Sequence, residues 1–270
     1  MVVFPNAKIN LGLQIVGKRE DGYHNILSCF YPVPWCDILE IIEGKKFRFE
    51  SSGIPIPGKT EDNLCVKAYQ MLKHDFPLPP VHIYLHKQIP IGAGLGGGSA
   101  DASFTLKYLN ELFHLFLDDS MLEDYAIQLG SDCPFFIKNQ PVLASGRGEQ
   151  FERISLDLSG KYVVLVTPPV HIATAEAYAE VKPQRPDTDL KEILENQTIH
   201  LWKNAVVNDF EASIFQQYPQ IGKIKETLYN LGAMYASMSG SGASVYGIFE
   251  QPIHIRGSFP KEYIFWQGNC

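Results

Sequence analysis

The chain has 270 residues, 23 basic against 30 acidic, and a formal charge of −7. That balance argues against nucleic acid or an anionic membrane as the main partner, because both reward positive surface. Hydrophobic residues at 45% and aromatics at 12% exclude disorder and allow one large domain or two smaller ones. Five cysteines (Cys29, Cys36, Cys65, Cys133 and Cys270) show no CxxC spacing, which suits a reducing cytosol rather than a zinc site or a disulfide framework. No basic leader opens the sequence and no run of about eighteen apolar residues occurs, so a cytoplasmic protein is expected.

In chain order, residues 7–16 read as a strand, and the turn cluster 17–22 leads into a second extended run over 25–33. Residues 38–42 and 47–49 alternate like further strands. Asp62 or Asn63 can cap a helix whose Leu64, Ala68, Met71 and Leu72 share a face, and Val81, Ile83 and Leu85 alternate as a strand. A glycine cluster follows, then a helix from near Ser99 with Ala102, Leu106, Leu109 and Phe113 along one side. Ser120 with Glu123 suggests a capping box for a short helix ending at Gly130. Residues 162–167 read as a buried strand closed by Pro168-Pro169. Helices are expected over 205–217 and 220–231, the second stopped by Gly232. Strands at 234–238 and 244–249 flank Gly240-Ser241-Gly242. Mixed strands and helices point to an α+β fold. The expected boundary follows the Gly146–Gly148 turn, giving domains 1–152 and 153–270; residues 182–187 are the nearest thing to a linker.

Three glycine motifs compete for a phosphate. Gly53-Ile-Pro55-Ile-Pro57-Gly58-Lys59-Thr60 fits the P-loop expression, but Pro55 and Pro57 have no N–H to offer, and Glu61-Asp62 sit where polyphosphate charge would lie. It reads instead as a connection into a capped helix. Gly92-Ala-Gly94-Leu-Gly-Gly97 satisfies the dinucleotide fingerprint, yet the acidic residue expected about 20 positions on falls at Glu111 within a helix or Asp118-Asp119 in a turn. The whole segment Pro90–Asp101 remains. Its glycines can gather several N–H groups into one concavity, and the helix start adds a positive dipole end. Its simpler reading is a flexible hinge.

With these segments in view the chain resembles the GHMP kinases. Three signatures of that family stand in order: Pro5-Asn-Ala-Lys8-Ile-Asn10-Leu-Gly-Leu, the Pro90–Asp101 loop, and Met238-Ser-Gly-Ser-Gly-Ala-Ser244. Asp21-Gly-Tyr23-His24 and Gly130-Ser-Asp132-Cys-Pro134 are similar to the branch acting on a small-molecule alcohol that carries a cytidine diphosphate group. The resemblance spans residues 3 to about 249. Ala100 and Cys133 depart from common family choices without removing a charged group, and the tail after Phe249 carries no motif.

The resemblance implies an N-terminal ribosomal-protein-like β/α domain, a C-terminal ferredoxin-like α/β domain and an active site in the cleft between. It implies ATP-dependent phosphorylation of a hydroxyl, with Mg2+, and with neither nucleic acid nor membrane as partner, in a monomer or weak homodimer. Asp132 would orient or deprotonate the acceptor alcohol, although an Asx-turn carboxylate reads the same way from sequence alone. Lys8 would pair with Asp132 and face the transferring phosphoryl group, where spacing alone suggests a solvated lysine. Asn10 shares the strand face of Lys8 and could bond the acceptor. Tyr23 and His24 resemble a cytosine-reading pair, against local packing in a hairpin. Thr174 and Tyr178, four apart at a helix start, would lie near the acceptor and form a second ring over the base. ATP would be held by Pro90, Gly92, Gly94, Leu95, Gly96, Gly97, Gly98, Ser99 and Ala100, with Ser99 the candidate Mg2+ ligand. Gly240, Ser241 and Gly242 would buttress and close the phosphate loop, or form a plain hairpin turn. A sibling kinase of the mevalonate or homoserine type, a non-catalytic nucleotide binder and an NAD-linked oxidoreductase are the other readings.

Overall fold

The computed structural model describes residues 2–184 and 188–270. The linker reading over 182–187 extends onto residues 185–187, which lie outside the described residues. The chain forms two compact units that interleave along the sequence: residues 2–7, 35–91 and 96–140 make one, and residues 8–34, 92–95 and 141–270 the other.

The first unit is built on a sheet ordered Val2–Val3, Ile38–Glu43, Val81–Lys87, Arg48–Gly53. Arg48–Gly53 and Val81–Lys87 run parallel, so a crossover must join them, and helix Leu64–Asp75 supplies it. Asn63 caps that helix by accepting from Cys65 N at 2.9 Å. Its buried stripe is Cys65, Val66, Ala68, Tyr69 and Leu72, rotated from the expected face. The rotation follows Tyr69, whose ring stacks on Phe47 at 5.0 Å and whose hydroxyl donates to Pro79 O. Helix Gly97–Leu112 packs beside it, burying Ala102, Leu106 and Leu109 against a core that includes Leu39, Ile41, Ile83 and Leu85. The next element is another helix, Asp119–Leu129, where a dinucleotide fold needs a strand. Its cap is Asp118, which accepts from Met121 N at 2.9 Å; the capping box on Ser120 is corrected, because Ser120 already lies in the first turn. The proline-rich segment after Gly53 leads through the short turn Thr60–Asp62 to Asn63 and forms no phosphate cradle.

In the second unit, strands Asn6–Lys18 and His24–Cys36, which belong to it from Lys8 to Pro34, lie in one sheet with Val142–Ser145 and Gln150–Arg153. Another sheet, wholly antiparallel, runs Tyr235–Met238, Val245–Phe249, Tyr162–Thr167, Ile264–Asn269. Helix Pro219–Asn230, started by proline at its first position, lays Ile221, Ile224 and Leu228 on the core with Val164, Val166 and Phe249. The tail after Phe249 thus contains a strand, whose register pairs Ile264 with Thr167 and Asn269 with Tyr162. The helix expected over 205–217 is confined to Glu211–Gln217. Its first part is a turn with a single bridge to Leu13 instead: Leu13 N donates to Val207 O and Asp209 N to Leu13 O, both at 2.8 Å.

Candidate active site

Strand Asn6–Lys18 is buried from Asn6 to Ile15, so both its faces must be packed and any polar side chain within it needs a partner. Lys8 and Asn10 share one face and are 3% and 1% exposed. Lys8 Nζ donates to Asn10 Oδ1 and lies 4.5 Å from the centre of the Phe30 ring. The Asn10 amide donates to Ser28 Oγ at 2.9 Å, and Ser28 in turn donates to Gly12 O. Lys8 is therefore held in place rather than solvated.

The same Asn10 reaches the other two loops. Its backbone N–H donates to Ser239 Oγ at 3.3 Å, and Ser239 Oγ donates to Gly94 O at 2.8 Å. Lys8 N donates to Leu95 O, and Ser244 N to Ala93 O. Segments around residues 10, 94 and 239 are thereby joined by one hydrogen-bonded network. Gly94 has φ +78°, and a Cβ there would stand 2.0 Å from Ser239 O, so only glycine admits this approach. Asn208 clamps the third loop by donating to Met238 O and Gly240 O, each at 2.8 Å. Gly240-Ser241-Gly242 is thus a braced loop, not a free hairpin turn.

Gly96, in the left-handed region, caps helix Gly97–Leu112. Ala100 N is the first to close a helical bond, to Gly96 O at 2.9 Å, so the N–H groups of Gly97, Gly98 and Ser99 have no intrahelical partner. Unpaired N–H groups at a helix start suit an anion, whereas Ala100, whose N–H is already used, presents a buried methyl. Asp132 is half-buried in the turn between helices Asp119–Leu129 and Phe135–Lys138. That turn is tied to the phosphate-loop helix by Ser103 Oγ, which donates to Cys133 O at 2.7 Å. Burial pushes the Cys133 thiol up to about 12, so it stays protonated next to Asp132.

His24 stacks on Tyr178 with centroids 4.9 Å apart and planes 19° from parallel, and Tyr178 meets Phe210 edge-on at 4.9 Å. Burial, reinforced by the charge of Lys18, holds His24 below the usual imidazole range. Tyr23 is 54% exposed, with the Arg147 guanidinium 4.1 Å from its ring centre. Thr174 is exposed at the first position of helix Thr174–Ala179, whose cap is Ala173. Sequence reasoning missed Ser28, Ser103, Ser239 and Asn208. Only Ser239, inside the third motif, carried a signal; the others act through backbone carbonyls that no residue pattern marks.

The model for the GHMP kinases N terminal domain matches residues 63–140, and that for the GHMP kinases C terminal domain matches 188–263. The chain belongs to the GHMP kinase family. The two matches fall on either side of residue 152, in order. Family membership implies ATP as the phosphoryl donor. A Cytophaga hutchinsonii relative named 4-diphosphocytidyl-2-C-methyl-D-erythritol kinase is 54% identical over 250 residues, 92% of each chain. One from Parabacteroides distasonis with the same name is 50% identical over 269 residues, 99% of each. Among solved structures, a 4-(cytidine 5'-diphospho)-2C-methyl-D-erythritol kinase aligns with TM-score 0.85 and 30% identity, covering 99% of this GHMP kinase and 98% of that chain. The Methanococcus jannaschii mevalonate kinase, at TM-score 0.68 and 15% identity over 92% and 90%, shares the fold. The expected two-domain α+β kinase fold is therefore present. No helix among the described residues is long and apolar enough to cross a membrane.

Proposed function

We propose that this GHMP kinase transfers the γ-phosphoryl group of ATP to the 2-hydroxyl of 4-diphosphocytidyl-2-C-methyl-D-erythritol, an isoprenoid precursor, in the cytoplasm and with small molecules as its only partners. The observation that carries the reading is the Asn10–Ser239–Gly94 network, which unites the family's three motifs around a buried lysine. High identity to relatives with that activity in their names supports the choice of acceptor.

In this reading Asp132 accepts the proton of the attacking hydroxyl, and Lys8 places an ammonium against the negative charge on the phosphoryl group. The N–H groups of Gly97, Gly98 and Ser99 hold the phosphates at the positive end of a sixteen-residue helix. Asn10 fixes Lys8 and, with the bonding capacity its amide retains, contacts the acceptor, as does Thr174. Tyr23, His24 and Tyr178 receive the cytosine. A base between His24 and Tyr178 needs rings about 7 Å apart, so the stacked pair must part to admit it.

Among the described residues no group of three or more His, Cys, Asp or Glu side chains could hold a metal ion. A magnesium ion brought in with the nucleotide would need few protein ligands, and the Ser99 hydroxyl is the residue that would hold it. When bound it neutralises phosphate charge. A coupled ADP-release assay with the purified protein tests the function: turnover on the cytidyl alcohol is expected, and turnover only on mevalonate or homoserine would sink the reading.

A further inference from the structure

Beneath the glycine loop lies a buried ion cluster, all within one compact unit, that the reaction scheme leaves unused. Lys87, the last residue of strand Val81–Lys87, donates from its ammonium to Asp37 Oδ2 and, at 2.7 Å, to Asp101 Oδ2. The three residues are 3%, 0% and 3% exposed in that order. Asp37 occupies the single position between strands His24–Cys36 and Ile38–Glu43. Its other oxygen accepts from Gln88 N at 2.6 Å and Ile89 N at 2.9 Å, the first residues of the segment leading into the loop. Asp101 sits in the second turn of helix Gly97–Leu112, on the loop's far side. One cation therefore ties the incoming backbone to the outgoing helix. The two sides also touch: a Cβ on Gly97 would come within 2.9 Å of Ile89 Cγ2 and 3.3 Å of Lys87 Nζ.

Stability alone is a weak reason for such a cluster, since well-packed apolar residues of similar volume usually serve a core as well or better. Two carboxylates share one ammonium, and Asp101 Oδ1 has no hydrogen-bond partner among the described residues. An unmade bond on a buried oxygen is a cost. What ions add over methylene groups is direction, because each bond fixes an angle as well as a distance. Here every bond converges on the two shoulders of a loop whose task is to aim backbone N–H groups.

We propose that Lys87, acting through Asp37 and Asp101, is a positioning residue for the ATP phosphates. It sets the spacing between residues 88–91 and the first turn of helix Gly97–Leu112, and so the direction in which Gly97, Gly98 and Ser99 present their N–H groups. The inference rests on the reading that this loop holds ATP.

The test compares Asp101→Asn and Asp101→Ala with the full-length wild-type protein. Binding of a non-hydrolysable ATP analogue is measured by calorimetry, and KM is measured separately for ATP and for the cytidyl alcohol. Asp101→Asn keeps the shape and weakens one charge-assisted bond, so about threefold weaker analogue binding is expected; Asp101→Ala should lose about tenfold or more. In both, KM for the alcohol stays within about twofold of wild type, a split that general loss of structure does not produce. Unchanged analogue affinity in a folded variant, or an equal rise in both KM values, overturns the proposal. Should Asp101→Ala fail to fold, the isosteric Asp101→Asn decides alone. A wild-type protein that turns over no alcohol defeats the functional reading, while the calorimetric comparison still decides the positioning role.

Discussion

At the scale of single residues, the site depends on polar groups that strand geometry forces into a dry interior. Lys8 and Asn10 were singled out through the family resemblance, since spacing alone made Lys8 a solvated lysine; what the strand pattern did give is that the two share a face. Their geometry was not legible, because Ser28 and Ser239, which complete the network, lie 18 and 229 residues from Asn10. Replacing Asn10 with alanine removes one acceptor of the Lys8 ammonium and strips Ser28 of a donor, so kcat should fall about 10–100-fold with little change in KM for ATP. Asp132→Asn removes the proton acceptor and should lower kcat by about 10²–10⁴-fold while ATP analogues still bind. Both are read by steady-state kinetics beside calorimetry. For His24 the sign follows from its depressed pKa: burial holds its midpoint below the ordinary imidazole value of 6.5, so it charges only in more acid buffer than a free histidine does. KM for the cytidyl substrate should therefore rise as pH falls, with a midpoint below 6.5; a midpoint above 6.5 contradicts the assignment of burial as the dominant cause.

Among elements, those with long apolar periodicity were readable, and those fixed by distant partners were not. Helix Pro219–Asn230 and strand Tyr162–Thr167 follow from spacing alone. The stretch before Glu211 misleads because Ala205, Val206 and Val207 fit a helix pattern, whereas Leu13 offers this backbone a strand to pair with. Strand Ile264–Asn269 was hidden for a related reason: its pattern is weak, and its pairing with Tyr162–Thr167 supplies the order. Asn208 stands at this corner, and Asn208→Ala would leave the carbonyls of Met238 and Gly240 without their donor. A loss of about 1–3 kcal/mol in denaturant unfolding is expected. Gly94→Ala places a methyl against Ser239 O and strains a positive φ, so it should lower both thermal stability and ATP-analogue affinity. A soluble Gly94→Ala protein with wild-type affinity would show that the loops need not approach this closely.

For the whole molecule, net charge and cysteine usage say most. A charge of −7 is compatible with holding a polyphosphate because the proposed holding groups, N–H dipoles and a buried lysine, would alter the total little. All five cysteines are free thiols. Cys29, Cys65 and Cys133 are buried, and burial raises the pKa of each, whereas Cys36 and Cys270 are partly accessible. An aromatic disulfide reagent at pH 8 should therefore label Cys36 and Cys270 in the native protein, with Cys270 slowed by burial that pushes it up to about 11. The remaining three should react only on unfolding. Native labelling of Cys133 would mean that its turn beside Asp132 opens.

The interleaving of the two compact units bears on how the gene can be divided. Strands Asn6–Lys18 and His24–Cys36 stand early in the sequence, yet from Lys8 to Pro34 they belong with residues 141–270. A fragment beginning at residue 153 lacks these strands as well as Val142–Ser145 and Gln150–Arg153, and so an entire sheet of its unit. Neither half of a mid-chain truncation is a self-sufficient folding module. Permuted genes that join the early hairpin to the late segments, unlike simple deletions, are the ones that would keep that unit whole.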